Sequence, residues 1–342
     1  MLYASTRSKT DSYTAHRALQ ADRAPDGGYF LPFRLPVLKS EQIAKLKNQT
    51  FSETVSLILN LYFSTGITAW DVDCCIGKSA AKIISMPHRV LVAQLWDNPA
   101  GEYGYICQSL YECLIKNKVD YKASNWAFIA IRIAVLFGIF SLLQKQNIDS
   151  FDLSVNVGDF SDPMAAWYAK QMGLPIGTIV CACNDNSATW DFLHRGELNT
   201  GVTLVNSQTP DLDVVNPEGL ERFIFCTLGY EETQKYLMSS EKKKMYQIRP
   251  DMIDTMSRDM FVSVVGKDRV EAVISSVYRS NQCVLDPYAA VSYGSLQDYR
   301  AKTGESCPTV LLWDRSPLKN LSVVQRALGL GEAEIKAHLN QL

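Results

Sequence analysis

An apolar run from Trp126 to Leu143 (WAFIAIRIAVLFGIFSLL) constrains this chain more than any other feature. Its 18 residues come close to spanning a bilayer, yet Arg132 stands near the middle, where a charge is expensive in lipid. No second hydrophobic stretch accompanies it. The reading is therefore a helix buried at the centre of a large α/β domain, with no membrane partner. A guanidinium in such a place requires a carboxylate or several carbonyl partners.

With 342 residues, 47% hydrophobic and 20% charged, the chain has room for a sizeable core and about two domains. Lys plus Arg number 34 against 36 for Asp plus Glu, a net charge of −2, which leaves no electrostatic footprint for nucleic acid. The nine cysteines are odd in number, and neither Cys74-Cys75 nor Cys181-x-Cys183 has zinc spacing. No metal site is expected, and Cys181 and Cys183 read as neighbours on one face of a buried strand. The opening Met1–Arg7 lacks the basic-then-apolar pattern of a secretory leader, so a cytoplasmic location is expected.

Residues 1–86 read as a mostly helical N-terminal domain, with helices beginning near Ser40 and Ser52. Ala24–Pro36, dense in Gly and Pro, reads as turns and extended chain. Residues 87–342 alternate strand-like and helix-like segments. Strands are expected at 89–96, 153–157, 176–183, 201–205, 261–265 and 308–313. Helices are expected at 125–143, 163–172, 187–195, 217–228, 267–280, 287–301 and from Pro317 onward. That alternation predicts an α/β fold, a mainly parallel sheet with helices on both faces. The run Glu241-Lys242-Lys243-Lys244 reads as a solvated loop.

The unit from Phe151 to Cys183 carries the most chemistry. Its strand runs into Gly158-Asp159-Phe160-Ser161-Asp162-Pro163, with Asp162 placed to cap a helix, Pro163 at its first position and Gly173 just beyond its end. A tight loop between a strand and a helix N-terminus aims backbone N–H groups at one point, which suits an anion at the carboxyl end of a parallel strand. An ordinary βα turn explains the same residues, and the two carboxylates repel a bare phosphate.

Segments along nearly the whole chain resemble the threonine synthases, pyridoxal-phosphate (PLP) lyases of the tryptophan-synthase-β (type II) fold. Tyr3-x-Ser5-Thr6-Arg7 with Ala24–Phe30 resembles the family's YxSTRG…GLAxDGGLxxP start. Ser124-Asn125-Trp126-Ala127 resembles NSINWAR, and Gly158–Asp162 with the following WYAKQMGLPI resembles GNFGD and YYAKKMGLPI. Asn184-Asp185-Asn186, Leu220-Glu221-Arg222 and Asp286–Val291 resemble TNxND, NFERL and DPHTAV. The resemblance implies a fold-type-II PLP-enzyme-like architecture, conversion of O-phosphohomoserine to threonine, and PLP as cofactor. It marks Gly158, Asp159, Phe160, Ser161, Asp162, Asn125, Asn184, Asp314 and Ser316 as cofactor- or ligand-binding candidates.

The chain departs from that pattern where the chemistry lies. The family's Schiff-base lysine sits in an HGPTxxFKD motif, whose counterpart here is Leu95–Tyr105, with Gly104 in the lysine's place and Tyr105 in the aspartate's. Some twenty residues separate Gly104 from Ser124, too few for the family's SGDTG-bearing segment, so a shortened cofactor subdomain is expected around 87–145. Asp159 and Ser161 replace Asn and Gly in the phosphate loop, Lys122 and Phe128 replace an asparagine and the arginine of NSINWAR, and Asp314-Arg315-Ser316-Pro317 replaces a TAHP-like stretch. The expectation is a non-catalytic or repurposed homologue that binds an amino acid or phosphate ester, with an oligomer compatible with the fold. The alternative is an active lyase with a relocated lysine, from Lys78, Lys82 or Lys122. A new chemistry on Asp159, Asp162, His194 or Asp314 is a third reading.

Overall fold

The structure, a computed structural model, describes residues 1–77, 81–96, 102–116 and 125–341. Its main sheet has six strands, labelled in chain order β1 (Lys82–Met86), β2 (Val90–Gln94), β3 (Phe151–Asn156), β4 (Ile176–Cys183), β5 (Met260–Val264) and β6 (Thr309–Trp313). Across the sheet they run β5–β4–β3–β6–β2–β1, parallel except for the antiparallel edge pair β1–β2.

The strands are apolar on both sides, and the side-chain period of two sends alternate residues to opposite faces. Leu91, Ala93, Cys181 and Cys183 enter one buried cluster, while Val90, Val92, Val180 and Ala182 enter the other. Burial pushes the Cys183 thiol up to about 12, in keeping with a core role. The second cluster is closed by helices Lys267–Asn281, Pro287–Thr303, Leu321–Leu328 and Glu332–Leu339.

The first cluster surrounds the helix Trp126–Lys145, and 94% of that helix's most apolar stretch is buried inside the protein. By length and composition alone it could cross a membrane; here it is a core helix. Trp126 meets Tyr3, Tyr62 and Tyr168 edge-on, with ring centroids 5.9, 5.4 and 5.3 Å away. Arg132 finds its carboxylate in Asp162, Nε to Oδ1 2.9 Å, and also donates to the Phe128 carbonyl at 3.4 Å. The helix Phe51–Phe63 crosses at Gly138, where a Cβ would lie 2.8 Å from the Phe51 ring.

Two segments that carry the family resemblance meet in the N-terminal region. Arg7 holds Glu221 through two hydrogen bonds of 2.9 and 3.0 Å, and Thr6 donates to the same carboxylate. Arg222 donates to the Phe30 carbonyl at 2.9 Å, while Asp26 accepts from Ser5 and from the Gly28 amide. A Cβ on Gly28 would sit 2.2 Å from the Ser5 hydroxyl, so only glycine lets this turn close.

Several expected elements differ. The stretch 201–205 forms no strand; its residues are exposed, and the Val205 amide donates to the Asn186 side chain instead of to a ladder. The nearby strand is Glu197–Asn199, antiparallel to Met245–Gln247. Gly229, with φ +84°, ends one helix at Leu228 and opens another, Tyr230–Lys242, so Glu241 and Lys242 close a helix and only the residues after them turn. The closing helix is broken in three: a short 3₁₀ turn at Pro317–Asn320, then Leu321–Leu328 and, past the left-handed Gly329, Glu332–Leu339.

Candidate functional site

A cavity of about 630 Å³ opens at the carboxyl ends of β3 and β6. This size and position are those of ligand pockets in parallel α/β sheets. The turn after β3 contributes Asn156 to Asp159, the end of β6 contributes Asp314 and Arg315, and the first turns of helix Tyr103–Ile115 contribute Tyr103 to Tyr105 and Gln108. Asp211, Leu212 and Tyr288 close the far wall. The Tyr103 amide donates to the Asp314 carbonyl at 3.0 Å and fastens that helix to the sheet.

The helix after β3 is Ser161–Gln171, and its cap differs from the expectation. Phe160 occupies the cap position in the left-handed region, φ +71°, and Asp162 lies inside the first turn. Left-handed backbone is costly for a bulky residue, and here the fully buried Phe160 ring packs on Phe223 at 5.2 Å. Asp162 is drawn away from capping by Arg132. Its place is taken by Asp159, whose carboxylate accepts from the Ser161 amide at 2.9 Å and the Ser161 hydroxyl at 2.8 Å. The free amide where an anion would dock is thus already occupied by a carboxylate of this chain.

Charge in the cavity is dominated by carboxylates. Arg315 lies between Asp314 at 2.9 Å and Asp211 at 2.5 Å, with its guanidinium 3.6 Å from the centre of the Tyr288 ring. Burial opposes the Arg315 charge, but these two carboxylates outweigh burial and raise its pKa. Burial pushes Asp162 up to about 6; Asp159 and Asp314 add to that rise, and Arg132 counters it. Below the floor, Asp286 caps helix Pro287–Thr303 and accepts from the Trp313 indole at 3.0 Å. Burial, then the Asp314 charge, push it up to about 7.

The candidates from sequence divide cleanly. Gly158, Asp159, Asp162, Asp314 and Gly104 line the cavity, whereas Phe160, Ser161, Asn125, Asn184 and Ser316 do not. Asn125 caps the core helix by accepting from the Ala127 amide at 2.8 Å. Asn184 donates to Asp213 at 2.6 Å and to Ser207 at 2.9 Å, which pins the loop at 205–213. Ser316 caps the 3₁₀ turn and Ser161 is held by Asp159. His194 is exposed and stacks on Trp190 at 4.4 Å, outside the cavity. Lys82 lies exposed on edge strand β1, paired in register with Gln94, and does not line it either. Lys78 and Lys122 lie outside the described residues. Sequence reasoning missed Glu102, Asp211, Tyr288 and Arg315 as cavity residues. Arg315 adjoins a marked aspartate, Tyr288 sits in the marked DPYAAV segment and Glu102 lies in the marked Leu95–Tyr105 stretch; Asp211 carries no local signal.

Known proteins bear on this geometry. Residues 2–80 match the family described as the threonine synthase N terminus. The threonine synthase of Pseudomonas aeruginosa is 31% identical over 224 residues, covering 64% of this chain and 46% of the relative. Human threonine synthase-like 1 is 25% identical over 215 residues, covering 61% of this chain and 28% of the relative. The chain thus spans less than half the length of these curated relatives. Among solved structures, the PLP-bound threonine synthase from Brucella melitensis superposes with a TM-score of 0.86 at 18% identity, over 96% of this chain and 92% of that one. Yeast threonine synthase gives 0.85 at 17% identity, over 99% and 94%. The fold is that of the type II PLP enzymes.

Proposed function

We propose that this chain, a divergent member of the threonine synthase family, is a non-catalytic homologue that keeps the fold and its cavity as a small-molecule binding site. The observation that carries the reading is the Asp159 carboxylate bound to the amide and hydroxyl of Ser161. A phosphate seeking this helix N-terminus would displace that carboxylate and then face it at close range.

The lysine position supports the same conclusion. Among the described residues that line the cavity none is a lysine, and Gly104, in the family lysine's place, has nothing within 4 Å of where its Cβ would be. PLP supplies an electron sink once its aldehyde is held by a lysine amine. The described lining offers no such amine, so the described residues do not fit the cofactor.

The test is chemical. Purified full-length protein is incubated with PLP, reduced with borohydride, and its peptides are mapped by mass spectrometry. The expected result is no stoichiometric adduct and no visible absorbance band that survives gel filtration. A single lysine modified at one equivalent per chain, protected by amino acids, would overturn the reading and restore an active lyase with a relocated lysine.

A further inference from the structure

We infer that Cys75 and Cys113 are a redox-active pair, which a small-molecule disulfide converts from two thiols into one disulfide that ties the N-terminal region to the cavity helix. This goes beyond the binding reading and holds whatever the cavity takes up.

The backbone brings the two side chains together. Helix Ala69–Ile76, inside the stretch that matches the threonine synthase N terminus, ends at Gly77. Helix Tyr103–Ile115 ends at Lys116, in the left-handed region with φ +54°, and its first turns line the cavity. The two helices pack against each other. Hydrogen bonds from Thr68, and beyond them the Lys116 charge, hold the Asp71 carboxyl below its usual range, so the end of one helix faces the first turn of the other. About one turn along, the Cys75 and Cys113 side chains are hydrogen-bonded to each other.

Both cysteines combine a partner with access. Each is reduced and half-buried at the margin of the main core cluster. Half-burial admits a small reagent and leaves room for the side-chain rotations that turn a hydrogen-bond contact into an S–S bond of about 2.05 Å. The other cysteines lack one or the other. Cys181 and Cys183 are buried in β4, Cys226 is paired with the Tyr168 hydroxyl at 3.1 Å, and Cys307 is exposed beside Glu305. Exposed Cys74 adjoins the pair, yet the described residues contain no group of three or more His, Cys, Asp or Glu able to hold a metal. The pair is therefore a dithiol and not a ligand set.

The chemistry balances with the reagent named. Burial, then the hydrogen bond with Cys113, push the Cys75 thiol up to about 12, so Cys75 keeps its proton and acts second. The Cys113 thiolate attacks one sulfur of the reagent, forming a mixed disulfide and releasing one thiolate. The Cys75 sulfur then attacks Cys113, gives its proton to solvent and displaces the second thiolate. Two protein thiols lose two electrons, and the reagent is reduced to two thiols.

The test uses the full chain, reduced, freed of reductant and incubated with oxidised glutathione in mildly alkaline buffer. Remaining thiols are alkylated, and peptides are mapped by mass spectrometry without reduction. The expected result is a single intramolecular Cys75–Cys113 link. Closing a loop of about 40 residues should raise the melting temperature by about 5 °C, reversibly with dithiothreitol. Cys75→Ser should stop with glutathione retained on Cys113, and Cys74→Ser should cross-link as the parent does. The parent map needs no variant, so a variant that fails to fold leaves the test standing. Links through Cys74 or Cys307, two chains joined together, or glutathione retained on Cys113 in the parent overturn the pair. An unchanged melting temperature in the linked protein overturns the fastening of the two helices.

Discussion

Two glycines in neighbouring helices show how differently the two halves of this molecule are built. Gly138 lies in the core helix, where an added Cβ would come within 2.8 Å of the Phe51 ring and 3.1 Å of Val55. Gly104 lies in the first turn of the cavity helix, where an added Cβ would meet nothing within 4 Å. At this crossing the core is tightly filled, because the two helices approach closely at the glycine. The cavity has space, about 630 Å³ of it. The interior is closed at this crossing, whereas the cavity stands open.

The largest expected effect breaks the first half of that contrast. Gly138→Val forces a branched side chain into the crossing of helices Phe51–Phe63 and Trp126–Lys145. Phe51 and Val55 are buried and have nowhere to retreat. Overpacking of this kind costs about 3 kcal/mol, read as a lower urea midpoint with unchanged slope. A loss below about 0.5 kcal/mol would mean that the crossing is looser than its distances imply.

How much of this was legible in the sequence follows the same division. Buried parallel strands are short apolar runs bounded by Gly, Pro or Asp, so β2, β3, β4, β5 and β6 could be read within a residue or two. The stretch at 201–205 misled because Val202, Leu204 and Val205 have strand-forming composition, yet all three are exposed and no neighbouring strand pairs with them. The need of Arg132 for a carboxylate was legible, since a charge in an apolar helix must be paired. Its partner was not, because Asp162 also fitted the role of helix cap, and only the three-dimensional path decides between two uses of one carboxylate. The cavity was the least legible part. Glu102, Asp211, Tyr288 and Arg315 come from four separate segments that converge only through the sheet, and no local period records that.

A middle-sized effect concerns the charge stored beneath the cavity. Asp286 is fully buried, and burial with the Asp314 charge raises it to about 7. Between the ordinary carboxylate range and pH 7 the folded chain therefore holds a proton that the unfolded chain releases. Stability linked to this group is highest at low pH and falls as pH rises through the folded value. Asp286→Asn removes the titration and keeps a cap acceptor. Relative to the parent, its stability should rise between pH 5 and 7.5 by on the order of 1 kcal/mol per pH unit at the steepest point. A difference that stays flat with pH would show that Asp286 stays ionised in the folded chain.

The smallest effect is also the sharpest, because one substitution is made at both glycines. Alanine at Gly104 reduces the freedom of the unfolded chain and meets no atom in the folded one, so a gain of about 0.5 kcal/mol is expected. Alanine at Gly138 gains the same entropy term and then loses more to the Phe51 ring, so its sign is negative. Thermal denaturation of the pair reads the difference directly, with each protein serving as the other's control. Two gains would mean that the helix crossing yields freely. Two losses would mean that the space beside Gly104 is filled in the folded protein, and the cavity would then be part of the core.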